Sequence, residues 1–207
     1  MKTHTLDRLG ALTTIAAATA GLIISLNYFI GGMTAVTTEP IGWLVMANDV
    51  FLVFSAFALY AALKERGGAL AFVGFMLVVV SMVVGAGLAG QTIGVASGTL
   101  AQTQADPGVS STLFDILGHY AYVAGVILMG YAIIRSGVFP AWTGAMLILA
   151  GVTNLLTGFG TLLQYLFVAV STLAWISVGW ALWNRAAEAD EARPGELASV
   201  RVDPAES

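Results

Sequence analysis

The chain has no cysteine and little charge, and both shortages narrow the functions that it can perform. Among its 207 residues there are 0 cysteines, 2 histidines and only 10% charged residues. Without thiols the chain cannot form disulfides, thiolate metal sites, iron–sulfur clusters or cysteine nucleophiles. Soluble domains carry about 25% charged residues, whereas 58% of this chain is hydrophobic. The composition therefore predicts an integral membrane protein, whose first partner is the lipid bilayer.

Motifs for common catalytic and cofactor sites are also missing from the sequence. A zinc hydrolase normally needs three protein ligands. His4 is expected at the opposite membrane face from His119, so the two histidines cannot share a haem. The sequence has neither a Gly-x-x-x-x-Gly-Lys phosphate loop nor a Gly-x-Ser-x-Gly elbow. The net charge is −4, and no basic cluster favours a nucleic-acid partner. We expect no catalytic residues, no metal and no cofactor, and an intramembrane hydrolase is the weakest alternative.

Six apolar runs are long enough to cross a membrane. A bilayer core of roughly 30 Å requires about 20 apolar residues per helix. The runs cover residues 9–32, 41–63, 68–90, 113–134, 141–160 and 161–183. They predict an all-α fold, a bundle of six transmembrane helices in one domain over residues 1–184. Residues 185–207 are acidic and lack apolar periodicity, which predicts a disordered tail. The first run exceeds the 7–15 apolar residues of a signal peptide, so we expect an uncleaved helix.

The basic residues fall on one side of the membrane when six runs alternate in direction. They are Lys2, Arg8, Lys64, Arg66, Arg135, Arg185, Arg193 and Arg201. Because short loops rich in lysine and arginine stay in the cytoplasm, both termini are predicted to be cytoplasmic. The expected location is the inner (plasma) membrane of the cell, which the chain crosses several times.

Tryptophan positions agree with this topology. Interfacial belts are rich in tryptophan because its ring is amphipathic. We expect the inner interface to hold Trp142, Trp175, Trp180 and Trp183, and the outer interface to hold Trp43.

Polar side chains within the runs gather at one depth below the external face. Such groups cost free energy in hydrocarbon, so each is expected to face the bundle interior, water or a partner. A rise of 1.5 Å per residue places Asp49 roughly 12 Å and His119 roughly 10 Å from the outer ends of their runs. Asp115 and Tyr122 share a helix face with His119. The predicted pocket contains Asp49, His119, Asp115, Asn48, Asn154, Asn27, Tyr122 and Gln164.

This pocket is interpreted as a site for a small-molecule ligand or a proton, in a carrier or a sensor. The alternative is a structural or interaction subunit of a membrane complex, in which the polar side chains only specify helix packing. A solvent-accessible cavity that reaches Asp49 and His119 favours the first interpretation. A dry hydrogen-bonded cluster favours the second.

Glycine recurs at every fourth residue near the end of the third run, as Gly90, Gly94 and Gly98. Such a strip is smooth and lets another helix approach closely. We expect it to pack inside the molecule, and a homodimer formed through it is the alternative.

The turn between the fourth and fifth runs has the sequence Arg-Ser-Gly-Val-Phe-Pro-Ala-Trp-Thr-Gly over residues 135–144. This motif, R-S-G-x-x-P-x-W-x-G, and the hydropathy layout of most of the chain resemble an uncharacterised six-span bacterial membrane family of the domain-of-unknown-function type. The resemblance implies a six-helix fold in a prokaryotic inner membrane. It implies no reaction, ligand or site residue.

Overall fold

The computed structural model describes residues 3–31, 38–100 and 108–191, and their regular structure is helical throughout. Six α-helices follow one another, and a single turn of 3-10 helix, Thr157–Phe159, lies between the last two. The α-helices are α1 (Thr3–Gly31), α2 (Glu39–Leu63), α3 (Gly68–Ala96), α4 (Gly108–Ser136), α5 (Ala141–Leu155) and α6 (Thr161–Glu191). These three segments contain no strand. The predicted all-α class is confirmed for this part of the chain.

Five of the described helices, all except α5, are long and apolar enough to cross a membrane. The chain is thus a multi-pass membrane-embedded protein. Helix α5 has 15 residues and rises only about 22 Å, which is less than the roughly 30 Å of a bilayer core. The predicted fifth run, 141–160, is therefore not one continuous helix. After Leu155 the chain makes the 3-10 turn and then reaches Gly160, whose φ of 149° suits glycine alone.

The six helices form a closed ring in which each packs against the next and α6 returns to α1. Neighbouring helices are antiparallel: Gly10 of α1 packs on Ala58 of α2, and Gly179 of α6 packs on Thr14 of α1. The start of α1 and the end of α6 consequently lie at the same end of the ring, which we call the charged end.

Two ion pairs join α1 to α6 at the charged end. Arg8 pairs with Asp190, and Arg185 Nε lies 3.5 Å from Asp7 Oδ2. The guanidinium of Arg185 also lies over the ring of Phe139, 5.9 Å from its centroid. Helix α6 thus continues past the predicted boundary at residue 183 and ends at Glu191. Residues 192–207, the rest of the predicted tail, lie outside the described residues.

The interior is packed with apolar side chains toward the charged end. The largest fully buried ones are Leu59, Leu63, Met129, Ile133, Leu147 and Leu182. The outer surface of the ring also carries large apolar side chains, among them Phe29, Val83 and Trp180. A helix that is apolar on both its inner and outer faces is typical of a membrane span.

The prediction that Gly90, Gly94 and Gly98 form one strip on a helix face is wrong for Gly98. Helix α3 ends at Ala96, and Gly98 has a φ of 73°, so it lies outside the helix. The N–H of Gly98 donates to the carbonyl of Val95 over 3.1 Å, as in a glycine-based helix C-cap. The side chain of Leu100 also covers Gly94. Gly98 therefore ends α3 rather than extending a packing face, and a homodimer through Gly90 and Gly94 stays a prediction.

Candidate functional site

A cavity of about 410 Å³ lies inside the ring, and all six helices contribute to its wall. Its volume is at the lower end of the roughly 300–1,000 Å³ that is usual for small-molecule sites. Apolar side chains such as Leu52, Met82 and Val168 make up much of the wall. The polar side chains on the wall are those of Ser25, Asn48, Asp49, Ser81, His119, Tyr122, Asn154, Ser171 and Thr172.

The short helix α5 ends at the level of this cavity. Gly151 of α5 packs between Ile127 and the carbonyl of Val123 in α4, at about the level of residue 125. Because the two helices are antiparallel, Leu155, at the end of α5, reaches about the level of Ala121. Helix α4 continues beyond that level by more than three turns. The last turn of α5 contributes Asn154 to the wall of the cavity.

Asp49 and His119 lie at this same level. The carboxylate of Asp49 packs against Gly85 of α3, and the neighbouring Val84 packs against Gly118 of α4. His119 is the next residue along α4, so the two ionisable side chains approach the cavity from different helices at one height. Both lie on its wall.

The carboxylate of Asp49 is held by its two immediate neighbours. Asn48 Nδ2 donates a hydrogen bond to Asp49 Oδ1 over 3.2 Å. On the other side Gly85 makes room for the carboxylate, because a Cβ at that position would overlap Oδ2 and lie 3.2 Å from Cγ. Asp49 is 8% exposed. The absence of a side chain at residue 85 is therefore what allows a carboxylate here.

A second polar group joins α4 to α6 across the wall. Trp175 Nε1 donates to Tyr122 Oη over 3.1 Å, and Tyr122 Oη lies 2.9 Å from Ser171 Oγ. Trp175 is only 3% exposed. The prediction that it lies at the inner membrane interface is wrong, because its indole N–H has a protein partner inside the ring.

The structure brings five of the eight predicted pocket residues to one cavity. On its wall are Asn48, Asp49, His119, Tyr122 and Asn154. Asn27 and Gln164 are half-buried, but they do not line the cavity. The side chain of Asp115 lies outside the described residues. Among the described side chains, no hydrogen bond or ion pair joins Asp49 to His119.

Sequence reasoning missed four small hydroxyl side chains and one indole on the wall, those of Ser25, Ser81, Ser171, Thr172 and Trp175. Serine and threonine are easy to overlook because their hydroxyls can bond their own helix backbone and so need no partner across the bundle. A usable signal was present in α6. Ser171 and Trp175 are one turn apart and therefore share a helix face.

The described wall combines several kinds of polar side chain with aromatic rings. In the described segments, no group of three His, Cys, Asp or Glu residues could hold a metal ion. The hydroxyl of Ser171 contacts that of Tyr122. What the wall does provide is one carboxylate, one imidazole, amides, hydroxyls and aromatic faces.

Comparison with protein-family models, with curated proteins and with solved structures finds no match to this chain. The resemblance to a six-span bacterial family stays a prediction. Function is accordingly inferred from the cavity and its side chains.

Proposed function

We propose that the protein is a carrier or sensor that binds a small molecule in the cavity at the level of Asp49 and His119. The observation that supports this proposal is the cavity itself, about 410 Å³ in volume and lined by both ionisable side chains. A role confined to helix packing predicts instead that the two side chains bond each other in a dry interior.

The unused hydrogen-bonding capacity of Asp49 supports the same conclusion. A carboxylate offers about four acceptor positions, whereas Asp49 accepts one hydrogen bond from a protein side chain, that of Asn48. Polar groups at membrane depth need partners. Water or a bound ligand in the cavity supplies these partners. A ligand that displaces the water forms the hydrogen bonds with Asp49 in its place.

In the proposed topology the chain crosses the membrane six times, and α5 with residues 156–160 forms the fifth crossing. The charged end then faces the cytoplasm of a prokaryotic cell with both termini, and the cavity lies in the outer half of the membrane. The antiparallel ring supports this proposal because the start of α1 and the end of α6 lie at one end of it. The distribution of lysine and arginine supports the same orientation.

Topology can be tested directly because the chain has 0 cysteines. Glu39→Cys and Lys64→Cys place single thiols at opposite ends of α2. A membrane-impermeant maleimide added to intact spheroplasts should label the first variant, and should label the second only after the membrane is permeabilised. The opposite pattern would overturn the proposed orientation.

Ligand access can be tested with thiols on α6. Thr172 lines the cavity, its neighbour Leu173 faces outward with 54% exposure, and Val178 is fully buried with 0% exposure. A small hydrophilic thiol reagent should react with Thr172→Cys in proteoliposomes and leave Leu173→Cys and Val178→Cys unreacted. A panel of small cations, anions and neutral solutes should then include at least one solute that slows the reaction at residue 172. A thiol there that does not react, or that no solute protects, would contradict a binding function.

A further inference from the structure

The described wall of the cavity carries a negative group and no permanently positive one. Its acidic residue is Asp49, and no lysine or arginine lies among the residues that line it. His119 is the single described wall residue that could gain a positive charge. The basic residues of the described ring lie elsewhere, for example Arg8 and Arg185 in the ion pairs of the charged end. The wall therefore favours positive over negative ligands.

The end of α5 adds to this preference. The last carbonyls of a helix form the negative end of its dipole. Helix α5 ends at Leu155, and Asn154 of its last turn is on the cavity wall. The backbone carbonyl of Asn154 accepts a hydrogen bond from Thr157 Oγ1 over 2.8 Å, so this helix end contributes its dipole to the wall rather than a free carbonyl. The side-chain amide of Asn154 offers a further acceptor.

Aromatic side chains line the same cavity as Asp49. Tyr122, Phe167 and Trp175 all border the cavity. The rings of Tyr122 and Phe167 meet edge to face, with centroids 6.2 Å apart. The faces of tryptophan and tyrosine attract organic cations, and this attraction strengthens when the site excludes water. A carboxylate beside aromatic rings is thus suited to an ammonium group that carries carbon substituents.

We propose that the ligand is a small organic cation, an amine or quaternary ammonium compound whose charge is bound by Asp49 and whose carbon groups contact the aromatic side chains. This inference rests on the proposed function and specifies the class of its ligand. A bare metal ion fits less well, because the described part of the chain has no metal-binding cluster and the cavity of about 410 Å³ has room for a molecule.

A pair of probes that differ only in charge tests the proposal on the unmodified protein. Choline carries a quaternary nitrogen, and 3,3-dimethylbutan-1-ol has a carbon atom at the same place. Isothermal titration calorimetry in detergent should show that choline, or the bulkier benzyltrimethylammonium, binds at least about tenfold more tightly than the neutral alcohol, since a desolvated charge pair outweighs the shared apolar contacts. The corresponding anion, 3,3-dimethylbutanoate, should not bind measurably.

Substitution of the carboxylate assigns the charge effect to one residue. Asp49→Asn keeps the size of the side chain and removes its charge, so cation binding should weaken at least about tenfold. Glu65→Gln is the matched control, because Glu65 is exposed in the turn after α2 and its substitution changes the net charge equally. This control should bind like the unmodified protein. Thermal unfolding of each variant checks that it is folded.

The outcomes separate this inference from the proposed function. If choline and its neutral isostere bind equally, or if only a neutral or anionic solute protects the thiol of Thr172→Cys, the organic-cation assignment is wrong and the binding function stands. If sodium or potassium ions protect that thiol and no organic cation does, the assignment is wrong as well. If no solute protects the thiol, both proposals fail. Should Asp49→Asn not fold, the choline comparison on the unmodified protein still decides the assignment.

Discussion

Replacing Gly125 with alanine should loosen the contact between α3 and α4, the pair of helices that carries Gly85 and His119. The two backbones cross closely at this point. A Cβ on Gly125 would lie 2.8 Å from the backbone nitrogen of Val78 and 3.0 Å from the carbonyl oxygen of Gly74. Ordinary contacts of a Cβ begin near 3.4 Å. Backbone atoms cannot move aside as a side chain can, so the two helices must separate.

Two opposing effects determine how the Gly125→Ala substitution changes the free energy of unfolding. Inserting a methyl group into a well-packed contact destabilises a protein by about 1–3 kcal/mol. Alanine also favours a helix over glycine by up to about 1 kcal/mol. Gly87 on α3 provides the control, because a Cβ there has no atom within 4 Å. Gly87→Ala gains the helix preference without the clash. The helix preference cancels between the two variants, so their free energies of unfolding should differ by the steric cost alone, about 1–3 kcal/mol.

Thermal unfolding in detergent, followed by size-exclusion fluorescence, measures this difference. For a chain of this length 1 kcal/mol corresponds to about 2–4 °C, so the Tm of Gly125→Ala should lie roughly 2–12 °C below that of Gly87→Ala. Gly74→Ala should behave like Gly125→Ala, because a Cβ there would lie 2.9 Å from the backbone nitrogen of Met129. Equal Tm values for the substitutions at 125 and 87 would refute the close crossing.

Three further predictions use the same thermal assay. Gly85→Ala places a methyl group against the carboxylate of Asp49, which should lower the free energy of unfolding by on the order of 1 kcal/mol. This loss should vanish when Asp49 is also replaced by alanine, and effects of the two substitutions that simply add would contradict the contact. Arg185→Ala should lower the Tm more than Arg8→Ala, because Arg185 pairs with a carboxylate that is 6% exposed and Arg8 with one that is 34% exposed. Exposed ion pairs contribute less than about 1 kcal/mol, and the reverse order of Tm values would contradict the assigned pairs. Trp175→Phe keeps an aromatic ring and removes the N–H that donates over 3.1 Å, which should cost about 1 kcal/mol; an unchanged Tm would show that this bond contributes nothing.

The membrane class and the shared depth of the polar residues could be predicted from the sequence. Both depend on distance along the chain, which a helix converts into depth at 1.5 Å per residue. Asp49 and His119 were predicted at similar depths, and the structure places them on the wall of one cavity. Their heights follow from counting residues inward from polar loops, a procedure that requires no knowledge of which helices are neighbours.

The direction in which a side chain points could not be predicted so well. A transmembrane helix is apolar on its lipid face and on its inner face alike, so hydrophobic periodicity does not distinguish the two. Asn27 and Gln164 have suitable depths but do not line the cavity, whereas Trp175, expected at the interface, is inside the ring. Only the pairing of helices across the bundle, as in the bond from Trp175 to Tyr122, reveals these orientations.

The residue at which α5 ends could not be predicted from the sequence either. This helix end explains why the ring contains a cavity. The sequence continues as Leu155-Leu156-Thr157-Gly158-Phe159, which stays apolar enough to resemble a continuing helix. The helix nevertheless ends at Leu155, at the level where Asp49 and His119 face inward. Leu156 and Phe159, which follow α5, are exposed, so they do not fill the ring interior as a continued helix would, and the negative end of the α5 dipole lies at this level. The space and the negative helix end thus occur together for one structural reason, the ending of a single helix partway along its neighbours, and Gly85 makes room for the carboxylate beside them. A variant that extended α5 by further helical turns should therefore fill the cavity and remove the proposed preference for cations in a single step.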